Sequence, residues 1–223
     1  MKKYALIDMD GTLYDSMPYH NLAWHKLMED LGVHTDPDEF FLLEGMTGFD
    51  TIDLIFMREL GRHTTPEEAK RLYDRKTEIF RSYNKKDQMP GAKQMLQTLM
   101  DAGVGRVLVT GSGQNSLLSR LNDDFPGAFS EDMRVTAYDV TRGKPAPEPY
   151  LKGLEKAGVS ADEAFVIENA PLGVRAGKAA GIFTIAVATG PIPYSAFEAE
   201  GADLIFPSMP AFADALPNLL NTL

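Results

Sequence analysis

The residues able to do chemistry in this chain are Asp8, Asp10, Thr110, Lys144, Glu168 and Asn169, and most stand where an apolar run ends. Tyr4-Ala5-Leu6-Ile7 leads straight into Asp8-Met9-Asp10-Gly11-Thr12. Strand side chains alternate faces, so Asp8 and Asp10 point one way and Met9 the other. Two carboxylates at a strand's carboxyl end form a reactive pair. One can ionise and attack, its neighbour can hold a proton, and both can ligate a hard cation through oxygen. Arg106–Thr110 runs into Thr110-Gly111-Ser112-Gly113, where glycines let backbone N–H groups approach an anion at a helix start. Gly111-x-Gly113-x-x-Ser116 half-matches a dinucleotide fingerprint, but it lacks the third small residue and follows the wrong strand; a plain turn is the other reading. Lys144 sits in Gly143-Lys144-Pro145-Ala146-Pro147-Glu148-Pro149, stiffened by three prolines. That rigidity suits neutralisation of phosphate charge, although most lysines are simply solvated. Glu168-Asn169-Ala170-Pro171 closes another apolar run. Its first two residues are either oxygen donors around a cation or, for Asn169, the cap of the helix that Pro171 starts.

These groups need a scaffold that brings strand ends together. Short apolar runs at Tyr4–Ile7, Arg106–Thr110, Arg134–Tyr138, Ala164–Glu168, Ile182–Val187 and Asp203–Phe206 read as strands. Helical patterns lie between most of them, at Ala92–Ala102, Gln114–Leu121, Pro147–Ala157 and Pro171–Ala180. Continuous apolar strands alternating with helices predict a parallel sheet covered on both faces. One stretch breaks the alternation: residues 15–83 carry no strand pattern. They show helical stretches at Pro18–Leu31, with a Trp24, Leu27, Leu31 stripe, and at Thr51–Leu60 and Pro66–Tyr83. A helical unit inserted there sits above the carboxyl ends of the strands, where α/β sites form. Its hinges are expected at Tyr14–Met17 and Asn84–Pro90.

Composition narrows the chemistry. The net charge is −10 over 223 residues, which argues against nucleic acid or an anionic membrane as partner. With no cysteine, thiolate nucleophiles, zinc-thiolate sites and disulfides are excluded. The four histidines all lie in the inserted unit, so the core has no histidine base for a Ser-His-Asp triad. Lys2-Lys3 precede too few apolar residues for a signal-peptide core, and no run approaches the ~20 apolar residues of a membrane span. A soluble cytoplasmic monomer is expected.

Taken together, Asp8-x-Asp10-Gly11-Thr12, Thr110 at a strand end, Lys144-Pro145 and Glu168-Asn169 resemble, in order, the four motifs of the haloacid dehalogenase superfamily. The insertion, with Tyr19-His20, Ala23-Trp24 and Arg75-Lys76, is similar to the cap of its β-phosphoglucomutase-like branch. The resemblance spans the chain and implies an α/β fold, with a Rossmann-like parallel sheet core of residues 1–14 plus 84–223 and a helical cap of residues 15–83. It also implies a mechanism. Asp8 attacks phosphorus to form an aspartyl-phosphate, and Asp10 first protonates the leaving oxygen and then deprotonates the incoming nucleophile. Thr110, the Gly111 and Ser112 region and Lys144 hold the phosphoryl oxygens. Mg²⁺ is held by Asp8, the Asp10 carbonyl, Glu168 and Asn169. His20 and Lys76 match positions that steer Asp10 as the cap closes.

Two departures refine the expectation. Asn169 stands where the family pattern has a carboxylate, removing one negative charge from the metal site. The cap loop Leu43-Glu44-Gly45-Met46-Thr47-Gly48 carries Glu44 and has Gly48 where a mutase has an arginine. Glu44 is expected to reach down and restore the missing charge as a metal ligand; the competing expectation is a solvated loop residue. This combination resembles a Bacteroides-type inorganic pyrophosphatase. The expected activity is therefore hydrolysis of a small anionic phosphate substrate, pyrophosphate. A sugar-phosphate or other phosphomonoester phosphatase is the alternative, followed by β-phosphoglucomutase and then by a non-catalytic phosphate-binding protein.

Overall fold

The computed structural model describes residues 2–112 and 118–223. Six strands form one sheet: β1 (Tyr4–Ile7), β2 (Gly105–Val109), β3 (Arg134–Val135), β4 (Ala164–Glu168), β5 (Phe183–Val187) and β6 (Leu204–Phe206). Their order is β3-β2-β1-β4-β5-β6, and each neighbouring pair is parallel. Around them lie α1 (Met17–Asp30), α2 (Gly48–Leu60), α3 (Pro66–Tyr83), α4 (Ala92–Asp101), α5 (Glu148–Ala157), α6 (Pro171–Ala179), α7 (Tyr194–Ala199) and α8 (Met209–Leu219). The fold is α/β, as the alternating pattern predicts.

Strand side chains build two core layers. Ala5, Ile7, Leu108, Phe165, Ile167 and Val187 face a cluster with α4 and α8. Leu6, Val107, Val109 and Val166 face the opposite way, against Tyr150 and Leu154 of α5 and Ala176 of α6. Ala5, Leu6 and Ile7 are all fully buried, which is why β1 reads as a continuous apolar run rather than an alternating one. Each fully buried Leu or Ile contributes about 1.5–3 kcal/mol, so the central strand is a firm base for the aspartates that follow it.

Helices α1 to α3 surround their own core of Trp24, Leu27, Met28, Phe40, Ile52, Ile55, Phe56 and Leu72. Thr47 caps α2 by accepting the Asp50 amide, and Thr65 caps α3, whose first residue is Pro66, by accepting the Glu68 amide. The segments leaving and re-entering the sheet pair with each other: Asp15 N–H donates to Asp87 O at 3.0 Å, and Met89 N–H donates to Leu13 O at 2.9 Å. These contacts lie at both expected hinges.

Three expectations change. The run Arg134–Tyr138 yields only the two-residue β3, because the Asp139 carboxylate takes the Thr136 amide and hydroxyl at 2.8 Å each and closes a turn. Leu31 is 41% exposed at the end of α1, and Met28 takes its place in the buried stripe. Helices α7 and α8 carry no strong pattern in the sequence reading, although Ser208 caps α8 through the Ala211 amide. Residues 114–117, the first half of the helix expected over 114–121, lie outside the described residues, as do Gly113 and Ser116 of the half-fingerprint. Among the described residues no helix is long and apolar enough to cross a membrane.

Candidate active site

The register of β1 pairs Ile7 with Leu108 on one side and Ile167 on the other. The next residues of all three strands therefore emerge at one edge. Asp8 continues the ladder, its amide donating to Ile167 O at 3.0 Å. Lys144 Nζ lies 2.6 Å from Asp8 Oδ1, 2.6 Å from Glu168 Oε1 and 3.1 Å from Val109 O. Lys144 is 1% exposed, so it is a buried cation between two carboxylates and not a solvated lysine. Glu168 Oε1 also accepts Tyr150 Oη at 2.9 Å, and Oε2 accepts the amides of Asn169 and Ala170. Both oxygens of Glu168 are thus committed to protein donors. Glu168 thus holds Lys144 in place from behind the site. Burial raises the Asp8 carboxyl well above its usual range; Lys144 opposes this, while the Glu168 charge adds to it.

Asp10 is held from the helical unit. Its Oδ1 accepts Ser16 Oγ at 2.6 Å and lies 3.1 Å from His20 Nε2. His20 Nδ1 in turn faces Lys76 Nζ. With the lysine donating to Nδ1, the imidazole proton sits on Nε2 and points at Asp10. Burial would raise the Asp10 carboxyl, but the His20 charge, the His20 and Ser16 hydrogen bonds and Lys76 outweigh it and hold it below the ordinary range. Burial lowers the Lys76 amine to about 7. Burial and the Lys76 charge also lower His20.

Asn169 does not cap α6; the capping position is Ala170. Its side chain turns to the site instead. Oδ1 accepts Thr12 Oγ1 at 3.0 Å, and Nδ2 donates to both Glu44 oxygens at 2.9 Å. Glu44 is 8% exposed, which rules out the solvated loop residue. Burial, followed by the charge of Asp8, raises its carboxyl well above the usual range. Gly11 permits this contact: its φ is +78°, and a Cβ there would lie 2.0 Å from Asn169 Nδ2. Thr189 Oγ1 donates to Gly11 O at 2.6 Å and fixes the same loop.

Among the described residues no three His, Asp or Glu side chains form a ready-made metal cluster. The donor chemistry nevertheless fits a hard divalent ion. Asp8, Glu44 and the Asn169 amide are buried oxygen donors; burial, with neighbouring carboxylates adding to it, raises the carboxyls of Asp8 and Glu44, and a cation between them would favour their ionised forms.

Asp8, Asp10, Glu44, His20, Lys76, Thr110, Gly111 and Ser112 line one cavity of about 70 Å³. Lys144, Glu168 and Asn169 stand behind that lining. Thr110 is 3% exposed, and its Oγ1 accepts the Ser112 amide at 3.0 Å. Sequence reasoning missed the supporting roles of Ser16, Tyr150 and Thr189. Ser16 was findable as a hydroxyl six residues beyond Asp10. Tyr150 and Thr189 are distant in sequence from the groups they hold and give no local signal.

A family model of haloacid dehalogenase-like hydrolases matches residues 2–181. Hexitol phosphatase A of Escherichia coli is 33% identical, covering 83% of this chain and 82% of that protein. β-Phosphoglucomutase of Bacillus subtilis is 26% identical, covering 84% of each. The solved structure of a candidate β-phosphoglucomutase from Bacteroides vulgatus superposes with a TM-score of 0.95 at 49% identity, over 100% of this chain and 90% of that one.

Proposed function

The chain belongs to the haloacid dehalogenase-like hydrolases, in their β-phosphoglucomutase-like branch, and from that membership we propose that it is a Mg²⁺-dependent phosphohydrolase acting through an aspartyl-phosphate on Asp8. The observation that carries this reading is the junction of Asp8, Asp10 and Thr110 in one cavity, with Lys144 bonded to Asp8 from behind. An Asp8 oxygen attacks phosphorus and the bond from phosphorus to the leaving oxygen breaks. Asp10, ionised in the arrangement seen here, must enter this step protonated, and it gives that proton to the leaving oxygen. It then takes a proton from water, whose oxygen attacks the phosphoenzyme and releases Asp8 with phosphate. Lys144 and Thr110 offset the phosphoryl charge. His20 and Lys76 orient Asp10 and tie its protonation to the position of the helical unit, which we take as a cap of residues 15–83 over a core of residues 1–14 and 84–223. Asp8, the Asp10 carbonyl, Asn169 and Glu44 would hold the Mg²⁺. When bound, Mg²⁺ supplies charge neutralisation at the crowded anions.

Two substrates fit this chemistry, each supported by a different observation. The geometry favours pyrophosphate. The cavity is several-fold smaller than the roughly 300–1,000 Å³ of ordinary small-molecule sites, and Glu44 closes it from the cap side. The names of relatives such as the hexitol phosphatase speak instead for a phosphomonoester of a sugar or polyol, and they favour that reading over pyrophosphate. Gly48, at the position of the mutase arginine, supplies no cation there to grip a second sugar phosphate, which argues against mutase activity. Phosphate release from pyrophosphate and from a panel of sugar and polyol phosphates, with and without Mg²⁺, tests both readings. No release from any of them, or release that survives Asp8→Asn, overturns the proposal. Strong turnover of polyol phosphates with none of pyrophosphate replaces the substrate and keeps the mechanism.

A further inference from the structure

Two cavities meet at one side chain. The catalytic cavity of about 70 Å³ is bounded by Gly48, Tyr73 and Gly111, and the same three residues border an outer chamber of about 910 Å³. That chamber opens between α2, α3 and the loop around Tyr138. Two of the three shared residues are glycines, so Tyr73 supplies the partition's side chain among the described residues. Its ring packs 5.4 Å from Phe49 and 6.4 Å from Trp24, centroid to centroid. The glycine at 48 makes the room: a Cβ there would lie 2.1 Å from Tyr73 Cε2. A side chain at 48 and this ring position at 73 exclude each other. At the third residue, a Cβ on Gly111 would lie 2.6 Å from Gly45 O, so that part of the wall is backbone against backbone.

The outer chamber has the character of a site for a neutral hydroxylated group. Lys70 is paired with Asp74 at 2.6 Å and His63 with Asp53 at 2.7 Å. Arg81 and Asp50 add one charge of each sign, and the remaining lining includes threonine hydroxyls and the Phe49 ring. Among the described residues its lining holds no cationic surplus for a second phosphate.

We infer that Tyr73 is the specificity-determining residue of this site: its ring seals the catalytic cavity from the outer chamber and limits turnover to substrates whose leaving group is about the size of phosphate. The inference rests on the phosphohydrolase reading with pyrophosphate as substrate, and parent turnover of glucose 6-phosphate as strong as that of pyrophosphate overturns it. Removing the ring joins the two spaces and admits the carbon skeleton of a sugar phosphate.

The test compares Tyr73→Ala and Tyr73→Phe with the parent protein, using pyrophosphate and glucose 6-phosphate. Tyr73→Ala is expected to raise the glucose 6-phosphate to pyrophosphate ratio of kcat/KM by at least about tenfold, through a lower KM for the sugar phosphate. Tyr73→Phe, which keeps the ring, is expected to keep the parent ratio. An unchanged ratio in folded Tyr73→Ala overturns the inference, as does a Phe variant that behaves like the Ala variant. Trp24, the single tryptophan, lines the catalytic cavity and gives a binding readout independent of turnover. If the parent hydrolyses neither substrate, the panel of sugar and polyol phosphates decides the phosphohydrolase reading. The partition is then judged by fluorescence titration: glucose 6-phosphate must bind Tyr73→Ala at least about tenfold more tightly than the parent, with inorganic phosphate unchanged. Should Tyr73→Ala unfold, Gly48→Ala displaces the ring from the other side at a position without positive φ, and the same shift in ratio is expected.

Discussion

Replacing Lys144 with methionine nearly preserves the volume of a side chain that is 1% exposed and removes its charge. Asp8 and Glu168, 4% and 1% exposed, each lose a partner at 2.6 Å. Removing one member of a buried ionic group costs roughly 3–5 kcal/mol, because it leaves charge uncompensated in the interior. In a domain of this size each kcal/mol moves Tm by about 2–4 °C, so a fall of about 6–20 °C is expected. The sign of the pH dependence follows from Asp8. Its folded carboxyl already lies above the ordinary value, chiefly through burial, and Lys144 is the group that pulls it down. In the variant the folded pKa rises further. A raised carboxyl pKa means that the folded state holds its proton more tightly; that stability is present below the unfolded pKa and is lost as pH rises through the folded one. The penalty of Lys144→Met should therefore be smallest in acid and largest at alkaline pH. Thermal melts in EDTA at about pH 5 and about pH 8 measure it, and steady-state turnover should fall by about 10²–10³. A Tm change below about 3 °C, or one equal at both pH values, would refute the buried-cation account.

Glu44→Gln keeps an acceptor for Asn169 but removes a charge, so half-maximal activation should need at least about tenfold more Mg²⁺. Because burial and Asp8 raise the Glu44 carboxyl, the metal-free variant should also melt higher than the parent above that folded pKa; equal Mg²⁺ demand removes Glu44 from the metal site. Lys76→Met should lower kcat and flatten the stability profile. With the Lys76 amine at about 7 in the folded protein and 10.5 as its ordinary value, the parent gains stability as pH rises across that interval, and urea melts should show the slope vanish in the variant. Gly11→Ala meets a φ of +78° and a Cβ contact of 2.0 Å with Asn169, so it should cost about 1–2 kcal/mol for the left-handed backbone alone and weaken Mg²⁺ activation. Unchanged Mg²⁺ dependence would show that Asn169 is free to move.

The strands were legible because a parallel sheet covered on both faces demands uninterrupted apolar runs, and Tyr4–Ile7 and Ala164–Glu168 meet that demand in full. The short β3 was not, since whether Asp139 closes a turn depends on a side-chain hydrogen bond rather than on apolar pattern. Asp8 and Asp10 were readable as a pair because alternation along a strand is a local property of the backbone. Thr110 and Lys144 stood out through the glycines and prolines around them. Which carboxylate meets Asn169 and which holds Lys144 was beyond local pattern. Glu168 and Asn169 are adjacent in the chain, yet the backbone sends one back to Lys144 and Tyr150 and the other out to Glu44, 125 positions away.

The sequence alone determined the sheet and the inserted helical unit, because these depend on periodicity, and its motifs at strand ends carried the resemblance that implied phosphate hydrolysis. Only the tertiary structure decided how large the site is and who guards it. The meeting of Glu44 with Asn169 and of Tyr73 with Gly48 is set by how the helical unit sits on the sheet, and contacts across that seam leave no periodic trace in either partner.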